Sequence, residues 1–591
     1  MTADLKHTLP GAIAIVVLAL VPLLPVPPFW ITLLNNIGLA SLVAIGLVLL
    51  TGVGGMTSFG QAAFCGFGAY TTAVLTTAYG FSPWATLPLS LIAGAATALP
   101  LGLITVRLSG HFLPLGTIAW GLALYYLFGQ VELVGRYDGI SGIPPLELAG
   151  HRFLSGQSIY YVIWFFVIAT AIGARNLLDS RVGRGIRALR GGGQVAEAFG
   201  VDIVRAKLTV FILAGIVAAL SGWLYAHMQR SVNPTPFGLN MGIEYLLMAV
   251  VGGAGHVWGA IFGAGVVLIL KDLLQRFLPD LIGSSINFEM IVFGALLVTI
   301  LQFARDGLWP LVLKFAAKRP TRQPAAAGSL PRRTMPAVGT PLLRIDMARK
   351  AFGGLVAVND VSFEIKAGQI AGLIGPNGAG KSTTFNLITG MLSLTSGSVF
   401  YGGEKLSGMS PRRIAKHGIA RTFQHAKILP TMSVLENVTL GAHLRGSAGV
   451  FKSFLHLERQ EEATLLAEAA RQLERVGLGA NMHRPAGDLA LGQIRILEIA
   501  RALCLDPTIL LLDEPAAGLR HAEKQELSAL LRKLKEEGVS VLLVEHDMGF
   551  VMGLVDHLVV LDFGTLIAEG KPAEVRQHPA VIAAYLGEVA A

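Results

Sequence analysis

The 591-residue sequence predicts a polytopic α-helical membrane domain joined to a soluble α/β domain built around a phosphate-binding loop. Three observations predict it. Hydrophobic residues make up 53% of the chain and charged residues 14%, with a mean hydropathy of +0.60, too apolar for an ordinary soluble protein and too poor in charge for a disordered one. The apolar residues crowd into residues 11–305, in runs long enough to cross a bilayer. Residues 342–591 instead carry short apolar strands, helical patterns and Gly375-Pro376-Asn377-Gly378-Ala379-Gly380-Lys381-Ser382. A chain of this length accommodates about three or four domains.

Within a membrane domain spanning 1–310, candidate spans fall at about 11–27, 29–50, 58–79, 84–106, 113–134, 157–173, 207–227 and 286–304. The 11–25 run has a weak basic start (Lys6, His7) and no small-residue cleavage site, so it reads as a first span rather than a signal peptide. Region 242–273 is too long for one untilted helix and is interrupted by Gly252-Gly253-Ala254-Gly255-His256. Parity requires it to cross twice or not at all if the basic loop 174–206 and the soluble domain share one side. Two short helices meeting at the glycines satisfy this and bring the total to nine or ten spans. The glycine break fits either a broken helix lining a cavity or close packing by small residues. Glu132, Glu244, Lys271 and Glu289, charged and near spans, are candidate substrate contacts.

The formal net charge is +9. Arg175, Arg181, Arg184, Arg187, Arg190, Arg205 and Lys207 sit in one inter-span loop, and Lys314, Lys318, Arg319, Arg322, Arg332 and Arg333 follow the last span. Charge facing membrane lipid at the cytoplasmic surface explains them better than nucleic-acid binding. Residues 311–341 form a basic, Pro- and Ala-rich linker, read as a tether because it lacks the apolar surface to fold. Cys65 and Cys504 lie in different halves and imply no disulfide framework, and Cys504, in the apolar helical pattern 500–505, suits packing.

In the third segment, 342–591, the glycine-rich string lies between a strand (369–374) and a helix (382–391). Its backbone amides can close around phosphate oxygens at a helix N-terminus. Lys381 supplies a charge to the β- and γ-phosphates, and the Ser382 hydroxyl suits Mg²⁺. A second apolar strand, 508–512, ends in Asp513-Glu514-Pro515: Asp513 can hold Mg²⁺ through water, and Glu514 can polarise an attacking water. A third, 539–544, ends in Glu545-His546-Asp547, where His546 can sense the γ-phosphate.

The order Phe352, Gly375–Ser382, Gln424, Leu489-Ala490-Leu491-Gly492-Gln493, Asp513-Glu514 and His546 resembles ABC transporter ATPases. The resemblance implies that Phe352 stacks on adenine, that Thr383 joins the phosphate-contacting set, and that Gln424 is the Q-loop glutamine, near both Mg²⁺ and the attacking water. It also implies that Leu489, Ala490, Gly492 and Gln493 reach the nucleotide of a partner ATPase. Phe352-Gly-Gly-Leu-Val-Ala-Val, Asp513-Glu-Pro-Ala-Ala-Gly-Leu519, Val544-Glu-His-Asp-Met548 and Glu569-Gly-Lys-Pro-Ala-Glu narrow the likeness to branched-chain amino acid uptake systems. In the membrane half, Phe59-Gly-Gln-Ala-Ala-Phe-Cys-Gly-Phe-Gly-Ala-Tyr70 resembles that family's permease motif. Gly183-Arg-Gly-Ile-Arg-Ala-Leu-Arg with Ala196-Glu-Ala-Phe-Gly200 resembles its coupling loop, giving Glu197 and its neighbours a coupling role.

The expected fold is therefore an importer-type ABC permease fused to an ABC ATPase, using ATP and Mg²⁺. The expected function is ATP-driven import of branched-chain or related small amino acids across a bacterial inner membrane, with the ATPase cytoplasmic. The resemblance implies a second permease and ATPase and an external solute-binding protein as partners. The same machinery importing urea, short amides or aromatic acids is the nearest alternative; a fused exporter would show six long spans and cytoplasmic helical extensions, which this sequence does not, and a non-transporting regulator fits poorly with intact Lys381, Asp513 and Glu514. Ala490, where the signature usually has serine, and Arg520, after Gly518-Leu519, depart from the ABC pattern on the face that meets the partner ATPase.

Overall fold

The computed structural model describes residue 16 and residues 18–108, 110–282, 289–314 and 328–586. Of the expected span at 11–27, residues 16 and 18–27 are described: 18–20 are helical, Val21–Leu23 form a 3-10 turn, and the chain is not helical from 24 to 27, so this part forms no long apolar helix. The chain divides into two compact units.

The first unit is helical: α1 (Pro28–Leu47), α2 (Gln61–Thr77), α3 (Pro83–Thr105), α4 (Phe112–Gln130) and α5 (Gly156–Leu178) are followed, after the loop described below, by another four helices and the short helix Trp309–Lys314 among the described residues. Prolines open α1 and α3, where a missing N–H costs nothing, and the Ser82 and Ser155 side chains cap α3 and α5. Between α5 and the next long helix lie α6 (Arg181–Arg190) and α7 (Gly193–Ala198); α8 (Ile203–Gln229), α9 (Leu239–Gly252), α10 (Val257–Ile282) and α11 (Glu289–Phe303) complete the series. Among the described residues six helices are long and apolar enough to cross a bilayer, with α9 and α11 shorter.

The glycines of the Phe59–Tyr70 motif have a packing reason. A Cβ on Gly68 would lie 2.0 Å from the Ala219 carbonyl oxygen, and one on Gly222 would lie 1.9 Å from that of Cys65, so α2 and α8 meet backbone to backbone. The 242–273 region does form two helices broken at Gly253–His256. Of the two readings of that break, close packing prevails: a Cβ on Gly252 would fall 1.9 Å from Gly259 O, and one on Gly263 would fall 2.0 Å from Met248 O. Glu244 and Lys271, expected as separate candidates, pair with each other at 2.7 Å between α9 and α10. Glu132 pairs with Arg136 at an exposed turn, and the Glu289 side chain lies outside the described residues.

The second unit comprises Ser180–Ile203 together with the segments around the nucleotide motifs. An antiparallel sheet contains β1 (Pro341–Phe352) and β2 (Leu355–Lys366), followed by the core strand β3 (Ile370–Ile374) and α12 (Lys381–Ile388). Next come β4 (Ser396–Tyr401), β5 (Glu404–Lys405), β6 (Ile419–Arg421), α13 (Val434–Thr439), α14 (Arg459–Arg475) and α15 (Leu491–Leu503). Then follow β7 (Ile509–Asp513), α16 (His521–Glu536), β8 (Ser540–Val544), β9 (His557–Asp562) and β10 (Thr565–Gly570), with the short helices Pro572–Val575 and Pro579–Leu586 after them. The main sheet runs β6-β7-β8-β3-β9-β10, parallel except for β10, and the antiparallel sheet runs β2-β1-β4-β5. Strands β3, β7 and β8 are buried at every residue, which is why they read as unbroken apolar runs. A separate apolar core, including Val434, Leu465, Leu473, Leu497 and the buried Cys504, holds α13, α14 and α15 together.

The reading of 311–341 as a free tether requires correction over its described C-terminal part. Leu330 packs against the α13–α15 core, the Arg333 N–H donates to Asp506 Oδ2 at 2.6 Å, and Gly339 N and Ala367 O pair at 3.0 Å. Residues 330–340 thus lie along the ATPase, near the N-terminal ends of its strands. Their backbone polar groups find partners there, a possibility that composition alone does not register.

Candidate nucleotide site

Parallel α/β sheets bind ligands beyond the carboxyl ends of their strands, and the predicted residues converge there. The phosphate-binding loop follows β3, Gln424 follows β6, Asp513-Glu514 end β7, and His546 follows β8. Gly375 (φ +152°) and Gly380 (φ +92°) cannot be replaced in this loop: a Cβ would sit 2.1 Å from Leu561 O and 2.4 Å from Ala357 O respectively. Pro376, Asn377, Gly378 and Ala379 form the arch between them, and Lys381, Ser382 and Thr383 open α12. The Lys381 ammonium donates to the Gly375 and Pro376 carbonyls at 2.7 and 2.8 Å.

The three residues expected to act on the γ-phosphate are brought together. Gln424 Nε2 donates to Glu514 Oε1 at 3.2 Å, and His546 Nδ1 lies 3.9 Å from the same oxygen. Glu514 adopts φ +48°, a left-handed conformation that costs about 1–2 kcal/mol for a residue with a Cβ. Its amide donates to Val544 O at 2.9 Å, which helps to hold that turn. Phe352 lies at the end of β1 with its ring exposed, as a stacking surface requires.

A cation is also accommodated. Asp513 is buried, and its Oδ1 has no hydrogen-bond partner among the described residues. Burial pushes its carboxyl above the usual range, with Arg421, 3.9 Å away, opposing the shift. Ser382, Gln424 and Asp513 are oxygen donors suited to Mg²⁺. Among the described residues no group of three His, Cys, Asp or Glu side chains is placed to hold a metal, so phosphate oxygens and water would complete the shell around these donors.

Sequence reasoning passed over several residues that build this site. Arg421, pushed down to about 10 by burial, donates to Asn386 Oδ1 and Thr389 Oγ1 at 2.9 and 2.7 Å and ties β6 to α12. Glu545 accepts the Ala516 N–H at 2.6 Å and so fixes the turn after Glu514. Arg421 ends β6 three residues before Gln424, and Glu545 follows β8 directly before His546; that placement at strand ends is the signal that was available. In the signature segment, Gln493 Oε1 accepts the Ala490 N–H at 3.2 Å, the half of a capping box that needs no hydroxyl, while alanine offers no side-chain acceptor for the other half. Gly492 abuts Glu523, whose Oε1 would lie 2.7 Å from an added Cβ; the same carboxylate accepts the Arg520 N–H at 2.7 Å. Leu489, preceding the helix, is buried.

The loop bearing α6 and α7 belongs to the same unit, and for Arg181, Arg184 and Arg187 this corrects the assignment to lipid. Arg181 donates to the His443 and Ala448 carbonyls at 2.8 and 2.6 Å. Arg184 forms a two-pronged pair with Glu462, one prong at 3.0 Å, and Arg187 reaches Glu436 at 2.8 Å. Arg412 meets Asp202 at 2.9 Å. A guanidinium fork matches a carboxylate in geometry as well as charge, so these acids satisfy the arginines within the chain. Burial raises the Glu436 carboxyl, but Arg187 and the Ser433 amide outweigh it and leave it below its usual range.

Comparison with known proteins agrees with this construction. Residues 29–301 match the family described as branched-chain amino acid transport system / permease component, residues 358–517 the ABC transporter family, and residues 565–591 the branched-chain amino acid ATP-binding cassette transporter family. The high-affinity branched-chain amino acid transport ATP-binding protein LivG of Salmonella typhimurium is 44% identical over 251 residues, which cover 42% of this chain and 98% of the relative. BraF of Pseudomonas aeruginosa, described in the same words, is 44% identical over 253 residues with the same shares. A solved ADP-conformation ATP-binding cassette of an ABC transporter is 33% identical, covers 42% of this chain and 99% of its own, and has a TM-score of 0.38. The chain belongs to the branched-chain amino acid ABC transporter family, and it carries a permease component and a transport-coupled ATPase in one polypeptide.

Proposed function

We propose that this chain is the fused permease–ATPase subunit of an importer that carries branched-chain amino acids across a bacterial inner membrane, with the ATPase in the cytoplasm. The observation that carries the reading is the convergence of Gln424, Glu514 and His546 around one carboxylate oxygen in a chain whose membrane half matches a branched-chain permease family. The segment boundaries proposed are residues 1–310 for the permease, 311–341 for the connecting segment and 342–591 for the ATPase. A second permease and ATPase, separate or fused, and a solute-binding protein complete the transporter.

In this reading Phe352 stacks on the adenine, and the amides of Gly375–Thr383 with Lys381 hold the phosphates. Ser382, Asp513 and Gln424 would hold Mg²⁺, which when bound neutralises charge between the β- and γ-phosphates. Glu514 orients and deprotonates the attacking water, Gln424 fixes the carboxylate, and His546 contacts the γ-phosphate from β8. The left-handed turn at Glu514 aims the carboxylate instead of letting it follow the strand. Leu489–Gln493 meets the partner's nucleotide, so Ala490 withholds a hydroxyl from the partner's site. Glu197 and its neighbours couple this cycle to the helices that the loop joins.

Single-turnover hydrolysis tests the assignment. Glu514→Gln retains ATP binding and slows hydrolysis at this chain's site by about 10²–10⁴. Hydrolysis at the unsubstituted rate would remove Glu514 from the chemistry. Competition of labelled leucine uptake by urea, acetamide or phenylalanine tests the substrate class, and preference for any of these rejects the branched-chain reading.

A further inference from the structure

The helix α15, which begins with the signature segment, carries three charged side chains that the reaction scheme leaves without a task. Arg495, Glu498 and Arg501 are all buried or nearly so, with Glu498 and Arg501 1% exposed. A buried charge is tolerated only when it is paired and hydrogen-bonded, so what these three touch is informative. Arg495 donates to the carbonyl oxygens of Phe423 and Gln424 at 3.1 and 2.7 Å. Glu498 accepts the Lys427 N–H at 3.1 Å, and Arg501 donates to the Lys427 carbonyl at 2.9 Å. Glu498 binds the two arginines together, at 3.6 Å to Arg495 and 3.2 Å to Arg501. Four backbone groups of the short segment 423–427 are thus held by one helix face.

The other side of Arg501 faces the inter-span loop. Its guanidinium lies 4.8 Å from the centre of the Phe199 ring, and Phe199 is itself buried at the end of α7. Burial lowers the Arg501 pKa, with Glu498 opposing, as expected for a cation that depends on that carboxylate and the aromatic face. Contacts therefore run from Phe199 through Arg501 and Glu498 to Arg495 and the backbone of Gln424, whose side chain ends on Glu514.

We propose that Arg495, Glu498 and Arg501 are positioning residues that hold the Gln424 segment and link its placement to Phe199, so that movement of the inter-span loop is felt at Glu514. The proposal rests on the reading of Gln424 as part of the nucleotide site. An ion cluster that merely stabilised α15 would have no reason to spend its hydrogen bonds on residues 423–427 or to set a cation against a residue of the loop. The same arrangement ties the Gln424 segment to the helix that the signature segment begins.

The test uses the complete transporter, this chain with its partner subunits and solute-binding protein, in proteoliposomes containing labelled leucine outside and ATP inside. Phe199→Ala should keep basal ATP hydrolysis and lower uptake per ATP by about tenfold, and Phe199→Tyr, which restores an aromatic face, should recover it. Glu498→Gln should speed hydrogen exchange of the 424–427 amides by about tenfold while the 378–383 amides stay protected. Gln424→Ala is the control for the underlying reading. If it hydrolyses ATP at the unsubstituted rate, the site reading is wrong. If Gln424→Ala is impaired while Phe199→Ala keeps normal uptake per ATP and Glu498→Gln leaves exchange at 424–427 unchanged, the site reading stands and the link is overturned. Equal loss of hydrolysis and uptake in Phe199→Ala, unrescued by tyrosine, overturns it as well.

Discussion

Replacing Glu462 with glutamine should undock the inter-span loop while leaving the nucleotide site intact. Glu462 is the two-pronged partner of Arg184, whose side chain is 2% exposed against 11% for the carboxylate. Glutamine keeps the shape and one acceptor but removes the charge, leaving a guanidinium buried with half its compensation. Breaking a buried pair from one side costs about 3–5 kcal/mol. Part of that is recovered if Arg184 swings toward water, so about 3 kcal/mol is a fair expectation, or a factor on the order of 10² in a local opening equilibrium. Hydrogen exchange reads this directly: amides of Arg181–Arg190 should exchange about 10²-fold faster, with those of β3 and β7 unchanged. Combining Arg184→Met with Glu462→Met removes both charges and should restore most of the protection. Unchanged exchange in Glu462→Gln, or acceleration equal to that in the double variant, would refute the claim that this pair fixes the loop.

Three further outcomes follow from the same geometry. His443, pushed down to about 3 chiefly by burial and then by Arg181, Arg184 and Arg412, is neutral in the docked state, whereas a freed imidazole titrates near 6.5. The opened state then binds more protons between those two values, so docking weakens as the pH falls through that window, by about 1.4 kcal/mol per pH unit at most; loop exchange corrected for its intrinsic rate should steepen on acidification in wild type and not in His443→Gln. Gly380→Ala sets a Cβ 2.4 Å from Ala357 O on a left-handed residue, and nucleotide affinity measured with a fluorescent ATP analogue should fall by about tenfold or more. Ala490→Ser should accelerate hydrolysis at the partner's site and not at this chain's own, by about 10-fold or more if a charged hydrogen bond is regained, read by trapping labelled nucleotide on each subunit.

What could be read in the sequence was what local physics dictates. Phosphate oxygens demand glycines and a lysine at fixed spacing, and strands buried on both faces demand unbroken apolar runs, so Gly375–Ser382, Asp513-Glu514 and His546 were legible before any coordinates. The break at Gly252–His256 was legible too, but its cause was not, because a glycine that lines a cavity and one that admits a neighbouring backbone look alike. Arg181, Arg184 and Arg187 illustrate the larger limit. Their partners, Glu436, Glu462 and the carbonyls of His443 and Ala448, lie about 250 residues or more away in the chain, and an arginine carries no mark of whether it will meet a headgroup or a carboxylate. The segment after residue 328 was misread for a similar reason, since its attachment uses backbone groups and a few side chains instead of an apolar pattern.

The central claim is that hydrolysis at Glu514 drives inward movement of branched-chain amino acids. Its most direct test is uptake of labelled leucine by proteoliposomes holding the whole transporter with its solute-binding protein, comparing wild type with Glu514→Gln at saturating ATP inside. Leucine accumulation above its external concentration in wild type, dependent on ATP and lost in the variant with ATP still bound, is the expected result. Accumulation without ATP, equal accumulation in Glu514→Gln, or ATP-dependent efflux of leucine would contradict the account.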